Sequence, residues 1–575
     1  MFLSEKILET CTWQHFERVV SRLLAHEGYD GIRVVGQSAD KGADVIAHRY
    51  GKRWLFQVKH WRARVGLAVL DQTVEAMRMY RAEIPVIVSL NGFEQGCYPH
   101  QQELMSRKIP MQLWDKRVLM ERASRLSDFP PVLYTPRKYQ EDAIRQIIMA
   151  YEEGHVRDAM VVMATGLGKT LTAAEAVRRI SLRRPVKLLV LAHTNPIVFQ
   201  LERAFWSFMS FRQSTIVWNG QEKPTDDELN SADCTFACIN TFSVYVEKGV
   251  DLPQYDIVII DECHHAGASM YLKAVAALKT AGNNPFILGL TATPWRPDTN
   301  DLDHIFRPPL VTVDMVMGLT NGYLSQIDYR MHVDNINWES LVKLKGALFS
   351  PRHINRSLFI TEWDDSVVYE LQKVYREMPN PRALVFCGTI DHAIIMRDKI
   401  NSLGFCYAAA IYSGTRGGKV MGSFERNRIL CDFHDGTVNV ICAVDIFNEG
   451  VDVPDVNIIV FQRVTHSRRI FVQQLGRGLR VSQGKEAVVV LDFVSDIRRF
   501  AAGLELKEGL EKGAEFQGPV RVKLNNKVVF KRVNGEDLES EKFLKLWLDD
   551  VAAIESSDQD KYVLKFPPKL PGSRP

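Results

Sequence analysis

The sequence predicts an α/β protein with a small first domain followed by two larger ones. Strand-length apolar runs alternate with helical patterns along most of the chain, which indicates packed α/β layers. The strands of the two larger blocks are apolar along most of their length, as expected for parallel strands that helices cover on both faces. A length of 575 residues also exceeds what one hydrophobic core supports.

The first block, residues 1–126, opens with an amphipathic helix over His15–Gly28. A turn at Tyr50–Lys52 joins two strands, and helices then alternate with two further strands. The predicted strands are Ala43–His48, Trp54–Val58, Pro85–Leu90 and Ile109–Trp114, and the first helix between them is Leu67–Tyr80. This order predicts a small α/β domain, and the consecutive prolines after Ser127 indicate a linker.

Five further segments follow the first domain. We expect a linker at 127–136, an α/β domain at 137–308, a connector at 309–355, a second α/β domain at 356–500 and a C-terminal extension at 501–575. The predicted strands are Ala159–Met163, Lys187–Leu191, Cys234–Ile239, Ile257–Ile260 and Phe286–Leu290, then Ala383–Phe386, Cys406–Ile411, Val438–Cys442, Ile458–Phe461 and Ala487–Leu491. A helix at Leu538–Ile554 would dock on the larger domains or on a partner.

Composition excludes some classes of protein. No apolar run reaches the length of a membrane span, and the nine cysteines lack metal-ligand spacing, so we expect buried thiols in a cytoplasmic protein. The net charge of +3 is too small to indicate a nucleic-acid partner. Between Tyr50 and Leu70, however, five bases interleave with two tryptophans and no acid. That stretch suits either DNA binding or a solvated strand edge.

The loop Met163–Thr170 follows an apolar strand and precedes a helix, which is the context that a phosphate-binding loop requires. Backbone N–H groups there would surround phosphates, Lys169 would pair with β- and γ-phosphate oxygens, and Thr170 would bind Mg²⁺. Met163 replaces the first glycine of the usual pattern, so the loop alone is a moderate signal for ATP. The predicted phosphate-binding residues are Thr165, Gly166, Gly168, Lys169 and Thr170.

Two acids, Asp261 and Glu262, follow the strand Ile257–Ile260. Carboxylates in this position provide one Mg²⁺ ligand and one group that positions the attacking water. We therefore predict that Asp261 is the metal ligand and that Glu262 is catalytic. The hydroxyls of Thr291 and Thr293 come after the next strand and could link the state of the nucleotide to bound nucleic acid.

Arg477 and Arg480 lie on a predicted helix of the second large domain. A guanidinium group can stabilise the γ-phosphate as it departs. Because these arginines belong to a separate domain, hydrolysis would then depend on closure of the two domains. Taken alone, they also fit a solvated helix face.

Across residues 134–495 these segments, in this order, resemble the motifs of superfamily 2 helicases. The Asp-Glu-Cys-His box at 261–264 is most similar to restriction-enzyme motors and to related repair translocases. The resemblance implies tandem RecA-like helicase domains, ATP and Mg²⁺ as cofactors, and DNA, mostly duplex, as the partner. It adds Gln140 as the contact for adenine, Gly450 and Asp452 in motif V, and Gln473 beside the arginines in motif VI.

In the first block, Asp44 and Lys59 lie on adjoining strands, where an acid beside a lysine can hold Mg²⁺ and activate water against a phosphodiester. Gln57 and Lys59 are two apart and share a face. Residues 10–120 resemble the Mrr-like branch of the PD-(D/E)xK endonucleases, where glutamine commonly replaces the second acid. The resemblance implies metal-dependent DNA cleavage, with Asp40 and Glu17 as further candidates at the metal site.

The leading interpretation is an ATP-dependent DNA helicase or translocase coupled to a Mg²⁺-dependent DNA endonuclease. Family resemblance alone implies a role in restriction or antiphage defence, together with partner subunits. A DNA-repair helicase whose nuclease-fold domain only binds DNA is an alternative, because Gln57 adds no second negative charge. A third interpretation is an ATP-gated switch that moves little within a larger complex.

Overall fold

The structure is a computed structural model that describes most of the chain as far as residue 492. The described residues are 1–35, 42–131, 134–154, 156–249, 251–263, 269–280, 284–292, 306–314, 317–318, 321–331, 361–412, 415–416, 419–444, 456–462, 485, 487–492 and 523–524. Every statement of structure below refers to these residues. The α/β class that the sequence predicts is confirmed.

The N-terminal domain is built on a five-stranded mixed sheet. Its strands are β1 (Asp30–Val34), β2 (Val45–Arg49), β3 (Lys52–Lys59), β4 (Ile84–Ser89) and β5 (Gln112–Trp114). Its helices are α1 (Glu5–Thr10), α2 (Trp13–His26), α3 (Leu67–Met79), α4 (Cys97–Ser106) and α5 (Lys116–Ser124). The strands stand in sequence order, antiparallel from β1 to β3 and parallel from β3 to β5.

Local sequence explains how this domain positions its central strand. Tyr50 and Gly51 adopt positive φ angles of 55° and 71°, which matches the tight hairpin turn between β2 and β3. Along β3 the side chains alternate, so Phe56 packs in the core that includes α2, whereas Leu55 packs on the opposite side with Ala76 of α3. Gln57 therefore faces α3, as the next section shows.

The second domain is a seven-stranded parallel sheet. Its strands are β6 (Asp158–Met163), β7 (Leu188–Ala192), β8 (Thr215–Trp218), β9 (Cys234–Cys238), β10 (Ile257–Asp261), β11 (Phe286–Thr291) and β12 (Val311–Val313). Its helices are α6 (Lys138–Glu153), α7 (Lys169–Ser181), α8 (Asn195–Trp206), α9 (Asp226–Ser231), α10 (Ile239–Glu247) and α11 (Ser269–Thr280). The spatial order is β12-β6-β11-β10-β7-β9-β8, so the strands after which the phosphate loop and the two acids follow flank β11.

The third domain repeats this design. Its strands are β13 (Gln326–Met331), β14 (Ala383–Phe386), β15 (Ala408–Tyr412), β16 (Thr415–Arg416), β17 (Lys419–Val420), β18 (Val440–Val444), β19 (Ile458–Phe461), β20 (Ala487–Asp492) and β21 (Lys523–Leu524). The described helices are α12 (Thr361–Glu377), α13 (Ile390–Ser402) and α14 (Ser423–His434). Its main sheet is parallel in the order β15-β18-β14-β19-β20-β13-β21, and β16 pairs with β17 separately.

Several elements differ from the sequence-based expectations. The segment predicted as a connector holds β12, which pairs with β6, and β13, which pairs with β20. The short elements β1, β8 and α9 were not predicted, because four to six residues carry little periodicity. All nine cysteines are free and eight of them are buried, as expected. The helix predicted at Leu538–Ile554 lies outside the described residues.

Candidate active sites

The phosphate-binding loop joins β6 to α7 and is held in place by its backbone. The Ala164 N–H donates to the carbonyl oxygen of Val313 in β12, at 2.9 Å. Gly166 and Gly168 have φ angles of +94° and +81°, which side chains rarely adopt. Because α7 begins at Lys169, the loop presents the N-terminus of a helix, where backbone N–H groups attract phosphate.

Gln140 in α6 packs directly against this loop. Its side-chain Nε2 donates to the carbonyl oxygen of Leu167 at 2.8 Å, and its Oε1 accepts from the Arg137 N–H at 2.8 Å. A Cβ atom added at Gly168 would lie 2.8 Å from the same Nε2. The buried amide of Gln140 therefore supports the loop, and its predicted contact with adenine stays a prediction.

The two acids stand opposite the loop, at the carboxyl edge of the sheet. Asp261 is the last residue of β10, and Glu262 follows it with a φ of +48°, a left-handed conformation that is strained for a glutamate. This turn brings the Glu262 carboxylate to the Lys169 ammonium, with which it forms an ion pair. A lysine and an acid 93 positions apart are thus brought together by the sheet order.

The opposite charges in this site shift one another's pKa values. Burial lowers the pKa of Lys169, but the attraction of Glu262 and Asp261 outweighs burial, so the net shift is upward. Burial raises the pKa of Asp261, and Lys169 opposes that shift. Among the described residues, the buried Asp261 Oδ1 has no hydrogen-bond partner, which suits a Mg²⁺ ligand. Thr170, in the first turn of α7, offers the second predicted ligand.

The remaining predicted residues of the motor are only partly placed. Thr291 ends β11 and is buried beside the register position of Asp261, since Asp261 pairs with Leu290. Thr165 lies in the loop and is half-buried. The predicted residues outside the described part of the chain are Thr293, Gly450, Asp452, Gln473, Arg477 and Arg480.

A second site lies where β2 begins and β3 ends, in the N-terminal domain. Asp44 is buried, and its carboxylate Oδ2 accepts the Val58 N–H at 2.5 Å. Val58 lies between Gln57 and Lys59, so the carboxylate stands against the part of β3 that carries both. The hairpin thereby sets the predicted acid, Asp44, against the strand that carries the predicted lysine, Lys59.

Gln57 is fully buried and held from two sides by α3. Its Nε2 donates to Gln72 Oε1 at 2.9 Å, and its Oε1 accepts from the Thr73 hydroxyl. Gly42 has a φ of +93°, and a Cβ atom there would lie 2.9 Å from Gln72 Cγ and 3.0 Å from Gln57 Nε2. Thr73 was not predicted as part of this site, and Gly42, although it opens the segment that carries Asp44, was given no role.

Lys59 is half-buried, and its ammonium lies 5.5 Å from the centre of the exposed Trp61 ring. Glu17 is buried in α2, and the neighbouring Phe16 ring lies 5.8 Å from that of His60, which places this turn of α2 near the end of β3. Asp40 lies outside the described residues.

The two sites lie in segments that match different protein families. The Mrr_cat family, described as "Restriction endonuclease", matches residues 8–123. The family described as "Type III restriction enzyme, res subunit" matches residues 133–296, and the helicase conserved C-terminal domain matches residues 366–482. Matches to an endonuclease model, a restriction-enzyme motor model and a helicase C-terminal model thus follow one another along the chain. We refer to the matched segments as the endonuclease domain and the first and second helicase domains. The helicase domains imply the use of ATP.

Individual relatives match different lengths of this chain. The chain is 24% identical over 531 residues to the "Type I restriction enzyme EcoAI endonuclease subunit" of Escherichia coli, which covers 85% of this chain and 64% of that protein. It is 26% identical over 375 residues to the "Putative mitochondrial ATP-dependent helicase irc3" of Schizosaccharomyces pombe, covering 63% of this chain and 58% of that protein. The chain thus spans less than two thirds of the length of these curated relatives.

One solved structure, a fragment of a putative HsdR subunit of a type I restriction enzyme from Vibrio vulnificus, is also similar. It has 20% sequence identity and a TM-score of 0.48, over 85% of this chain and 95% of that chain. Among the described helices, none combines the length and the apolar character that crossing a membrane would require.

The endonuclease domain contacts the first helicase domain through α2. The Arg18 Nε lies 3.1 Å from a carboxylate oxygen of Glu202 in α8, and its Nη1 pairs with Glu222. Arg22, one turn further along α2, donates to the carbonyl oxygen of Ser210 at 2.8 Å. All three charged side chains of the Arg18 cluster are buried, so this contact is an interior ion-pair network.

The second helicase domain is contacted through β3. Arg53 Nε donates to Asp435 Oδ2 at 2.7 Å, and its Nη2 donates to the carbonyl oxygen of Cys431 at 3.1 Å. The sequence left residues 50–70 open between DNA binding and a solvated strand edge, and the buried Arg53 fits neither of these roles. Arg53 and Trp54 are buried, the first in a domain interface and the second in the core, whereas Trp61 remains exposed.

Proposed function

We propose that the chain is an ATP-dependent DNA helicase or translocase coupled to a Mg²⁺-dependent DNA endonuclease. The observation that carries the proposal is the presence of two separately assembled sites in one chain. One pairs Lys169 with Glu262 beside Asp261, and the other sets Asp44 against the strand of Gln57 and Lys59. The type I restriction subunit of Escherichia coli, similar over most of this chain, supports the combination.

In the motor, the Lys169–Glu262 ion pair would form in the absence of ATP and break when ATP binds. The β- and γ-phosphates compete for Lys169, because they carry more negative charge than one carboxylate. Glu262 is then released to orient the attacking water, and Asp261 with Thr170 would hold Mg²⁺, which neutralises the developing charge. The same proposal assigns Thr165, Gly166 and Gly168 to the phosphates and Gln140 to adenine.

The second helicase domain would complete the motor. We assign Arg477 and Arg480 to the departing γ-phosphate, with Gln473, Gly450 and Asp452 coupling nucleotide to domain closure. Their roles rest on the helicase resemblance.

In the endonuclease site, Asp44 would hold Mg²⁺, which activates a water molecule against the phosphodiester. Lys59, on the same face of β3 as Gln57, would stabilise the charge that builds on the phosphate. Gln57 can offer its carbonyl oxygen to the metal only weakly, because Thr73 already donates to that oxygen. Because Gln57 stands where a second carboxylate could, we expect cleavage to need a high Mg²⁺ concentration.

Incubation of supercoiled plasmid with the protein, Mg²⁺ and ATP tests both halves. We expect nicking or linearisation that Asp44→Ala and Lys59→Ala abolish, while both variants keep DNA-stimulated ATPase activity. Lys169→Ala serves as the converse control, since it removes ATPase activity and leaves the endonuclease fold intact. Intact plasmid with the wild-type protein, alongside normal ATP hydrolysis, would reject the endonuclease.

A DNA-repair helicase whose nuclease-fold domain only binds DNA is the second candidate. The neutral Gln57, whose amide is bonded to Gln72 and Thr73, favours it. In that case Asp44→Ala leaves every DNA form unchanged, and removal of the exposed bases Arg62 and Arg64 weakens DNA binding.

The biological setting follows from the same relatives. We propose restriction or antiphage defence in the cytoplasm, on duplex DNA, with partner subunits that choose the target. Purification of the native complex, with identification of co-purifying subunits, tests this part; a protein that purifies alone and cuts without partners would contradict it.

A further inference from the structure

Two histidines and one aspartate meet where the endonuclease domain contacts the second helicase domain. His48 lies on β2, His434 ends α14, and Asp435 follows it. The Nε2 of His48 and the Nδ1 of His434 each lie 3.1 Å from Asp435 Oδ1. The three ligand atoms lie within 4.8 Å of one another, and the two rings stack with centroids 5.0 Å apart. We propose that His48, His434 and Asp435 bind a divalent transition-metal ion of the Zn²⁺ class between these domains.

The geometry fits a shared ion. Ligands about 2.0–2.1 Å from a tetrahedral Zn²⁺ are about 3.3 Å from one another, close to the nitrogen–oxygen separations here. Imidazole nitrogens with one carboxylate oxygen form a ligand set that suits Zn²⁺. The His48, His434 and Asp435 side chains keep 18%, 34% and 27% of their surface exposed, so water can take the fourth position and the ion can enter from solvent.

Arg53 orients the carboxylate for this role. It binds Asp435 Oδ2, which leaves Oδ1 directed at the two imidazoles. The positive charge of Arg53 weakens metal binding, and nearby Asp432, 3.5 Å from Arg53, offsets part of this effect.

His100 offers a matched contrast within the same domain. It also contacts two carboxylates, those of Asp71 at 3.0 Å and Glu103 at 3.3 Å. Those contacts use the opposite ring nitrogens, Nε2 and Nδ1, so the two carboxylates cannot share one ion with His100. Replacing His100 therefore controls for the loss of any partly exposed histidine between acids.

A bound ion would also restrain the motor, a consequence that rests on the proposed function. Arg18 and Arg22 hold the endonuclease domain to the first helicase domain, and the ion would hold it to the second. The two helicase domains would then be bridged outside the ATP cleft. Since ATP turnover needs them to move, Zn²⁺ would slow it.

Zn²⁺ binding is measured by competition with a chromophoric chelator, at a Mg²⁺ concentration that saturates the ATPase and endonuclease sites. We expect one Zn²⁺ site in the wild-type protein and in His100→Ala, and at least tenfold weaker binding in both His434→Ala and His48→Gln. Thermal unfolding without metal verifies that each variant is folded. Equal Zn²⁺ affinity in wild type and His434→Ala would overturn the proposed site.

DNA-stimulated ATPase activity with and without Zn²⁺ tests the restraint. The rate of the wild-type protein should fall severalfold on addition of Zn²⁺, and that of His434→Ala should not. Equal inhibition of both would contradict the restraint. ATP hydrolysis without Zn²⁺ reports on the motor alone, because His434 is not among the residues assigned to ATP or Mg²⁺. Failure of the motor and failure of the metal site are therefore distinguishable.

Discussion

The helicase site and the endonuclease site organise charge in opposite ways. In the helicase site, the partly buried Lys169 lies beside two acids and is already paired with one of them, Glu262. In the endonuclease site, Asp44 is the acid placed against β3, and its neighbour Gln57 is neutral and bonded at both ends of its amide. Under the proposed function, the first site would open when a nucleotide competes for the lysine. The second would depend on bound metal and DNA for additional charge.

The largest expected effect comes from removing the charge of Glu262 in the helicase site. Glu262→Gln keeps the size of the side chain but removes the charge that orients water, so ATP hydrolysis should fall by on the order of 10²–10⁴-fold. ATP binding should persist, because the phosphates no longer compete with a carboxylate for Lys169. Turnover and binding of a fluorescent ATP analogue measure the two effects. The control is Glu247→Gln, which removes an exposed ion pair with Lys273. An unchanged rate of ATP hydrolysis in Glu262→Gln would refute the role proposed for Glu262.

The next effect concerns the buried ion pairs between the endonuclease domain and the first helicase domain. Arg18→Ala leaves Glu202 and Glu222 buried without their cation, which should cost about 3–5 kcal/mol in the free energy of unfolding. The control Arg125→Ala removes an exposed ion pair with Glu121 and should cost less than about 1 kcal/mol. Chemical denaturation compares the two variants. Equal losses would mean that the Arg18 contact forms no buried network in solution.

A smaller effect concerns how the endonuclease site is packed. Gly42→Ala combines a left-handed backbone, worth about 1–2 kcal/mol, with a Cβ atom pressed against Gln72 and Gln57. Gly92→Ala shares the positive φ of +73° but has nothing within 4 Å of the added atom. Gly42→Ala should therefore lower plasmid cleavage and stability more than Gly92→Ala does. If the two variants behave alike, the contact between Gly42 and the glutamines is unimportant.

The smallest expected effect comes from adding a carboxylate to the endonuclease site, which makes its charge more like that of the helicase site. Gln57→Glu adds a second carboxylate beside Asp44, and the Gln72 amide can rotate to donate to it. The Mg²⁺ concentration for half-maximal cleavage should fall severalfold, since two negative charges bind the ion more tightly than one. Mg²⁺ titration of plasmid cleavage measures this, with Asp44→Asn in the same background as the inactive control. An unchanged Mg²⁺ requirement would show that position 57 does not face the metal.

Short motifs explain how much of both sites was predictable. The phosphate loop and the Asp261–Glu262 pair each follow a buried strand, and parallel strands end at one edge, so their meeting was expected. The hairpin that joins Asp44 to Lys59 was equally visible, from the turn at Tyr50–Lys52 between two predicted strands. Thr73 escaped notice because it contacts Gln57 from another element, and no local pattern reports such a contact.

Contacts between domains were not predictable in this way. The sequence alone determined the α/β layers, the three α/β domains and the order of their motifs. Strand burial and turn chemistry are local properties, so a sequence shows them directly. Only the tertiary structure decided that Arg53 binds Asp435 rather than DNA, or that His48 and His434 stack across an interface. Those partners lie more than 380 positions apart, and an arginine or histidine carries no mark of the distant surface that it will meet.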